Sequence, residues 1–115
     1  MREFVTDGYP GTEKKGPRVY GDIRYQNVWV NPHERGRIEK QLIHWILAKN
    51  PRSTPAEEIQ YWVTFRRDEP EFGTTCRVEI FGPAKSWESL ESAPVPYAAF
   101  ERCMGDLSPM PLSTV

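Results

Sequence analysis

Hydrophobic and polar residues alternate strictly in two neighbouring segments of the chain, residues 59–66 and 75–81. In both segments every second side chain is apolar, and the side chains between them are mostly polar or aromatic. A period of two is typical of a β-strand with one buried face. The segments therefore predict an antiparallel hairpin. Its inward positions are Ile59, Tyr61, Val63, Phe65, Cys76, Val78 and Ile80.

The second face of this hairpin is the strongest candidate for a binding surface. A further strand is predicted over residues 18–30, where the alternation slips at Gln26–Asn27 as it does at a bulge or tight turn. If that strand joins the hairpin, one sheet face collects three aromatic residues and three arginines. These outward residues are Tyr20, Arg24, Trp62, Arg66, Arg77 and Phe81.

A helix is predicted over residues 32–49. Asn31 is a good N-cap, Pro32 suits the first helical position, and Asn50-Pro51 ends the segment. Its apolar side chains cover an arc of about 200°, wider than a helix needs when it lies on one sheet. The surplus predicts that a second element covers the helix, or that two chains form a homodimer through it. The arc consists of Ile38, Leu42, Ile43, Trp45, Ile46 and Leu47.

The remaining pattern completes an α+β fold. It predicts a turn or short helix at residues 86–90 and a short C-terminal helix at 96–104, a plausible cover for the first helix. We expect one domain over residues 1–107 with the order β-α-β-β-α, followed by a flexible tail at 108–115. Its sheet is predicted to be mainly antiparallel, with three or four strands.

Composition and charge narrow the class of protein without naming it. The chain has 115 residues, a net charge of −1 and 27% charged residues, which excludes a wholly basic nucleic-acid binder and a highly charged disordered chain. No apolar run approaches the roughly 20 residues of a membrane span, and the first residues do not resemble a signal peptide. We therefore expect a cytoplasmic protein that does not contact a membrane.

Motifs for catalysis, cofactors or metals are missing from the sequence. His33 and His44 are about 16 Å apart along one helix, too far to share a metal ion. Cys76 and Cys103 lack a metal or redox spacing, so buried free thiols are expected, with a disulfide as the alternative. We therefore predict no cofactor, no metal site and no catalytic residue.

A smaller basic cluster is predicted on the polar side of the first helix. Arg37, Lys40 and His44 lie three or four positions apart, and residues with this spacing share one helix face. Such a cluster favours a phosphate or another anion. A solvated helix face without a ligand is the alternative interpretation.

These observations favour a small non-enzymatic module that docks a protein partner, as regulators and inhibitors of host or phage type do. The predicted contact surface is the outward sheet face or the exposed part of the first helix. The alternative is a single-stranded nucleic-acid binder, in which Tyr20, Trp62 and Phe81 stack on bases. In that interpretation the arginines of the same face contact phosphates.

Overall fold

A mixed β-sheet with two helices forms the architecture of the chain. A computed structural model describes residues 2–5, 16–67 and 73–110, with side chains from residue 16 onward. The elements are β1 (Arg2–Val5), β2 (Arg18–Gln26), α1 (Pro32–Lys49), β3 (Glu58–Arg67), β4 (Thr74–Phe81), β5 (Ser86–Ala93), α2 (Pro96–Gly105) and β6 (Ser108–Pro109). These strands lie side by side in chain order, and among them only β2 and β3 are parallel, with α1 as the crossover between them.

The hydrophobic core lies between one face of the sheet and the two helices. All seven inward hairpin positions predicted from the alternation are at most 1% exposed, which confirms the hairpin and its inward face. Helix α1 contributes Ile38, Leu42 and Ile46 to this core, and α2 contributes Phe100 and Cys103. Both helices therefore cover the same side of the sheet.

The predicted α+β class is confirmed, but the predicted sheet is wrong in detail. Most of its described strand pairs are antiparallel as expected, but the β2–β3 pair is parallel, so the sheet is mixed, and five described strands plus the two-residue β6 replace the three or four expected. The largest difference is β5, which occupies the segment 86–90 for which a turn or short helix was predicted. Its inward positions include Ser89 and Glu91, while Leu90 points outward, so the apolar alternation that identifies a strand is broken there.

Helix α1 agrees with its predicted bounds. The side chain of Asn31 accepts a hydrogen bond from the backbone N–H of Glu34 at 2.8 Å, which is the N-cap expected from the sequence. Part of the surplus of its apolar arc packs on the sheet, because the rings of Trp45 and of Trp87 in β5 meet edge-on with their centroids 5.2 Å apart. Helix α2 packs mainly on β4 and β5 and also contacts α1, so it covers α1 only in part.

Replacing Asn31 with alanine is expected to lower the free energy of unfolding by about 1 kcal/mol, because the Glu34 N–H loses its acceptor. The change is measured by urea unfolding followed by tryptophan fluorescence. Gln41→Ala, at an exposed position of the same helix, serves as the control and should shift stability by less than about 0.5 kcal/mol. Equal stability of the Asn31 variant and the wild type would contradict the capping role.

Both cysteines are free and fully buried, in agreement with the expected buried thiols. The Cys103 thiol donates a hydrogen bond to the backbone carbonyl of Cys76 at 3.0 Å and thereby ties α2 to β4. The neighbouring Cys103 thiol, together with burial, raises the pKa of Cys76 far above its usual value. The Cys76 side chain therefore stays in its protonated form, which is a poor nucleophile.

The C-terminal region extends the sheet by a short strand. Ser108 and Pro109, which the sequence assigned to a flexible tail, pair with Glu88 and Trp87 of β5. The backbone N–H of Met110 also donates to the carbonyl of Ser86 at 2.8 Å. The rest of the predicted tail, residues 111–115, lies outside the described residues.

Candidate functional site

The face of the sheet opposite the helices is the candidate site, and we call it the open face. Pairing places the outward side chains of β2 to β5 in rows across the strands, and all of them are partly buried or exposed. Two central rows have different character. One row contains Asp22, Trp62, Glu79 and Glu88, and the next contains Arg24, Thr64, Arg77 and Leu90.

All six residues that the sequence predicted for partner binding lie on the open face. They are Tyr20, Arg24, Trp62, Arg66, Arg77 and Phe81. Neither helix covers them, since α1 and α2 both pack on the opposite side. Sequence reasoning missed the contribution of β5 to this surface, above all Leu90, because the strand itself was not predicted.

Ion pairs neutralise most of the charge in the two central rows. The Arg24 Nε lies 3.1 Å from a carboxylate oxygen of Asp22, and the Arg77 Nε lies 3.6 Å from one of Glu79. Both pairs run along a strand, between residues two positions apart. The outward positions of β2 to β5 hold four arginines and four carboxylates, so the formal charge of this surface is zero.

One end of the open face is fixed by a chain of hydrogen bonds. The Tyr20 hydroxyl donates to Glu58 at 2.9 Å and accepts from the Gln60 side chain at 2.6 Å. Arg18 completes the chain with a contact to Glu58 at 3.2 Å. These bonds hold the Tyr20 ring in one orientation.

Apolar side chains lie between these polar groups. Phe81 is 36% exposed and Leu90 is 62% exposed, while Trp62 is partly buried. Trp62 and Phe81 are diagonal neighbours in the register of β3 and β4, within reach of each other across the strands. The open face therefore combines an aromatic centre, an exposed leucine and paired charges, a composition typical of protein interfaces.

The predicted anion cluster lies elsewhere, on the solvent side of α1. Arg37, Lys40 and His44 are all exposed there, and the Arg37 guanidinium lies 5.0 Å from the centre of the Tyr97 ring. This cation–π contact gives Arg37 a role within the fold. Anion binding at the three residues stays a prediction.

The described residues contain neither a cluster of metal ligands nor a helix that could cross a membrane. Across residues 16–67 and 73–110, no three histidine, cysteine or acidic side chains are grouped so that they would hold a metal ion. Neither of the two described helices has the length and apolarity needed to cross a bilayer. The acidic residues Asp68, Glu69 and Glu71 of the β3–β4 connection lie outside the described residues.

Comparisons with known proteins inform the fold. No protein-family model matches the chain, and no curated protein sequence matches it. Among solved structures, the chain is similar to the N-terminal domain of Protein Y from Thermus thermophilus, with a TM-score of 0.53 and 18% identity. The match covers 76% of this chain and 86% of that one. At this identity the similarity shows a shared fold only.

Proposed function

We propose that the protein is a non-enzymatic module that docks a protein partner through its open face. The observation that supports this best is a sheet face left free by both helices, with Trp62, Phe81 and Leu90 set among paired charges. Aromatic and apolar anchors surrounded by polar groups are typical of interface hot spots. A module of this kind would act by occupying a partner's surface, as a regulator or inhibitor does.

The charge distribution favours a protein partner over single-stranded nucleic acid. Phosphate binding needs cations whose counterions are released, whereas Arg24 and Arg77 already lie beside carboxylates of the same face. The zero formal charge of the face also provides no field to attract a polyanion. Stacking of bases on Trp62 and Phe81 remains the second hypothesis, and the experiment below distinguishes the two.

Trp62→Ala is expected to weaken partner binding by at least about 30-fold, the effect of losing a hot spot of about 2 kcal/mol. The full chain, its Trp62→Ala variant and its Gln41→Ala variant serve as baits. Each captured protein is then purified, and its affinity for all three baits is measured by titration. Gln41→Ala, on the solvent side of α1, is the matched control and should bind like the wild type. A partner that binds the Trp62 variant as tightly as the wild type would refute docking through the open face.

A salt titration on the same proteins tests the nucleic-acid alternative. Binding to fluorescent single-stranded DNA or RNA that weakens steeply with salt, and that Trp62→Ala abolishes, would replace the protein-docking proposal. Light scattering on the same samples reports whether the chain forms the homodimer predicted for α1. Because Trp45 packs on Trp87 within one chain, we expect a monomer.

A further inference from the structure

The outer edge of β5 is closed at both ends and open in the middle. The carbonyl of Ser86 accepts the Met110 N–H at 2.8 Å, and the carbonyl of Ser92 accepts a hydrogen bond from the Arg102 guanidinium at 2.6 Å. Backbone groups of alternate residues point to the same side of an antiparallel strand. The N–H and C=O of Leu90 therefore face this edge as well, between two positions that have partners.

The gap at Leu90 exists because β6 is too short to fill it. Within the described residues, β6 pairs only with Trp87 and Glu88. Continuing the same register would bring Asp106 opposite Leu90, but the Asp106 N–H donates instead to the carbonyls of Arg102 and Cys103 at the end of α2. Among the described residues, Leu90 thus has a strand partner only on the β4 side, and its side chain is 62% exposed.

A groove of about 430 Å³ lies along this gap and is acidic. Its charged lining consists of Glu88, Glu91 and Asp106 against a single arginine, Arg77, which is paired with Glu79. A hydrogen bond shared by the carboxyl groups of Glu91 and Asp106, together with burial and the repulsion between the two groups, raises the pKa of Glu91, while the Arg102 guanidinium acts in the opposite direction. A positive group placed in the groove relieves this repulsion.

We propose that the groove beside Leu90 binds an extended, lysine- or arginine-bearing segment of the partner protein. The segment adds to the sheet at the Leu90 edge, its apolar side chain packs on Leu90, and its cations lie among Glu88, Glu91 and Asp106. This inference rests on the proposed docking function and specifies the chemistry of the partner. The groove is continuous with the open face, because Leu90 is the cross-strand partner of Arg77.

The test is an NMR titration of the ¹⁵N-labelled full chain with the capped peptide Lys-Val-Lys-Val-Lys. We expect saturable shifts of the amide signals of residues 88–91 and of Asp106, while the matched peptide Glu-Val-Glu-Val-Glu causes none. The double variant Glu88→Gln with Asp106→Asn should bind the basic peptide about tenfold more weakly. Absence of shifts at 88–91, or equal shifts with the acidic peptide, would overturn the proposal.

Leu90→Pro tests the strand addition itself. Proline removes the N–H that faces the groove but leaves the β4–β5 ladder intact, so we expect at least about tenfold weaker peptide binding. Leu90→Val retains the N–H and serves as the matched control. The fold of each variant is checked by circular dichroism. If proline disturbs the strand, peptide binding by the Glu88→Gln, Asp106→Asn double variant tests the groove instead.

The two proposals can fail separately. A partner that requires Trp62 but binds the Leu90→Pro and charge variants like the wild type would leave docking through the open face standing and would refute the groove. A chain that binds the basic peptide at Leu90, but whose protein partner is indifferent to Trp62→Ala, would refute the open face as the main contact surface.

Discussion

Replacing Phe65 with alanine is expected to lower the free energy of unfolding by about 3–5 kcal/mol, a large share of the stability of a small domain. Phe65 is fully buried at the centre of the core. Its ring stacks on the Tyr25 ring, with the centroids 5.2 Å apart and an angle of 4° between the planes. Its centroid lies 6.3 Å from that of the Phe100 ring in α2. The substitution therefore leaves a cavity where β2, β3 and α2 meet.

Urea unfolding followed by tryptophan fluorescence measures this loss. Thr64→Ala is the matched control, because Thr64 is adjacent in the same strand but points to the open face and is only partly buried. We expect its effect to stay below about 1 kcal/mol. Similar losses for the two variants would contradict the assignment of the two faces of β3.

Replacing Gly21 with alanine is expected to cost about 3 kcal/mol, although it adds only one methyl group. A Cβ atom at this position would lie 2.0 Å from the backbone oxygen of Tyr61 and 2.7 Å from its ring. Gly21 and Tyr61 are partners in the parallel pair of β2 and β3, so the added atom forces these strands apart. Thermal unfolding followed by circular dichroism measures the effect.

Gly36 provides the opposite control for this experiment. It lies on the exposed side of α1, and a Cβ atom there would have no neighbour within 4 Å. Gly36→Ala is expected to stabilise the protein by about 0.5–1 kcal/mol, because alanine is the better helix former. A loss of stability at Gly36, or none at Gly21, would contradict the described packing of α1 or of the parallel strands.

The features of this fold that depend on one segment could be predicted from the sequence. Burial of one face imposes the alternation that identifies β3 and β4, and the Asn31–Pro32 and Asn50–Pro51 signals define α1 within its observed bounds. For the same reason, the residues of the open face contributed by these strands were predicted correctly. Local patterns are sufficient where the side chains of one element alone decide which face is buried.

The features that depend on several segments could not be predicted in this way. Ser89 and Glu91 occupy inward positions of β5 near the C-terminal end of α2, where the Asp106 carboxyl group lies close to that of Glu91. Because both residues are polar, the apolar alternation typical of a strand is interrupted in β5. The strand, and with it Leu90 and the groove, was therefore not predicted. The parallel pairing of β2 with β3 was also missed, since residues on either side of α1 carry no local sign of which strands they will join.

That parallel pair also determines the order in which the sheet can assemble. Its partners are distant along the chain: Arg18 and Glu58, for example, are 40 positions apart. Closing so long a loop costs entropy before any contact forms, whereas β3, β4 and β5 follow one another through short connections and meet early. Until β2 pairs with β3, this edge of β3 is open to pairing with another chain.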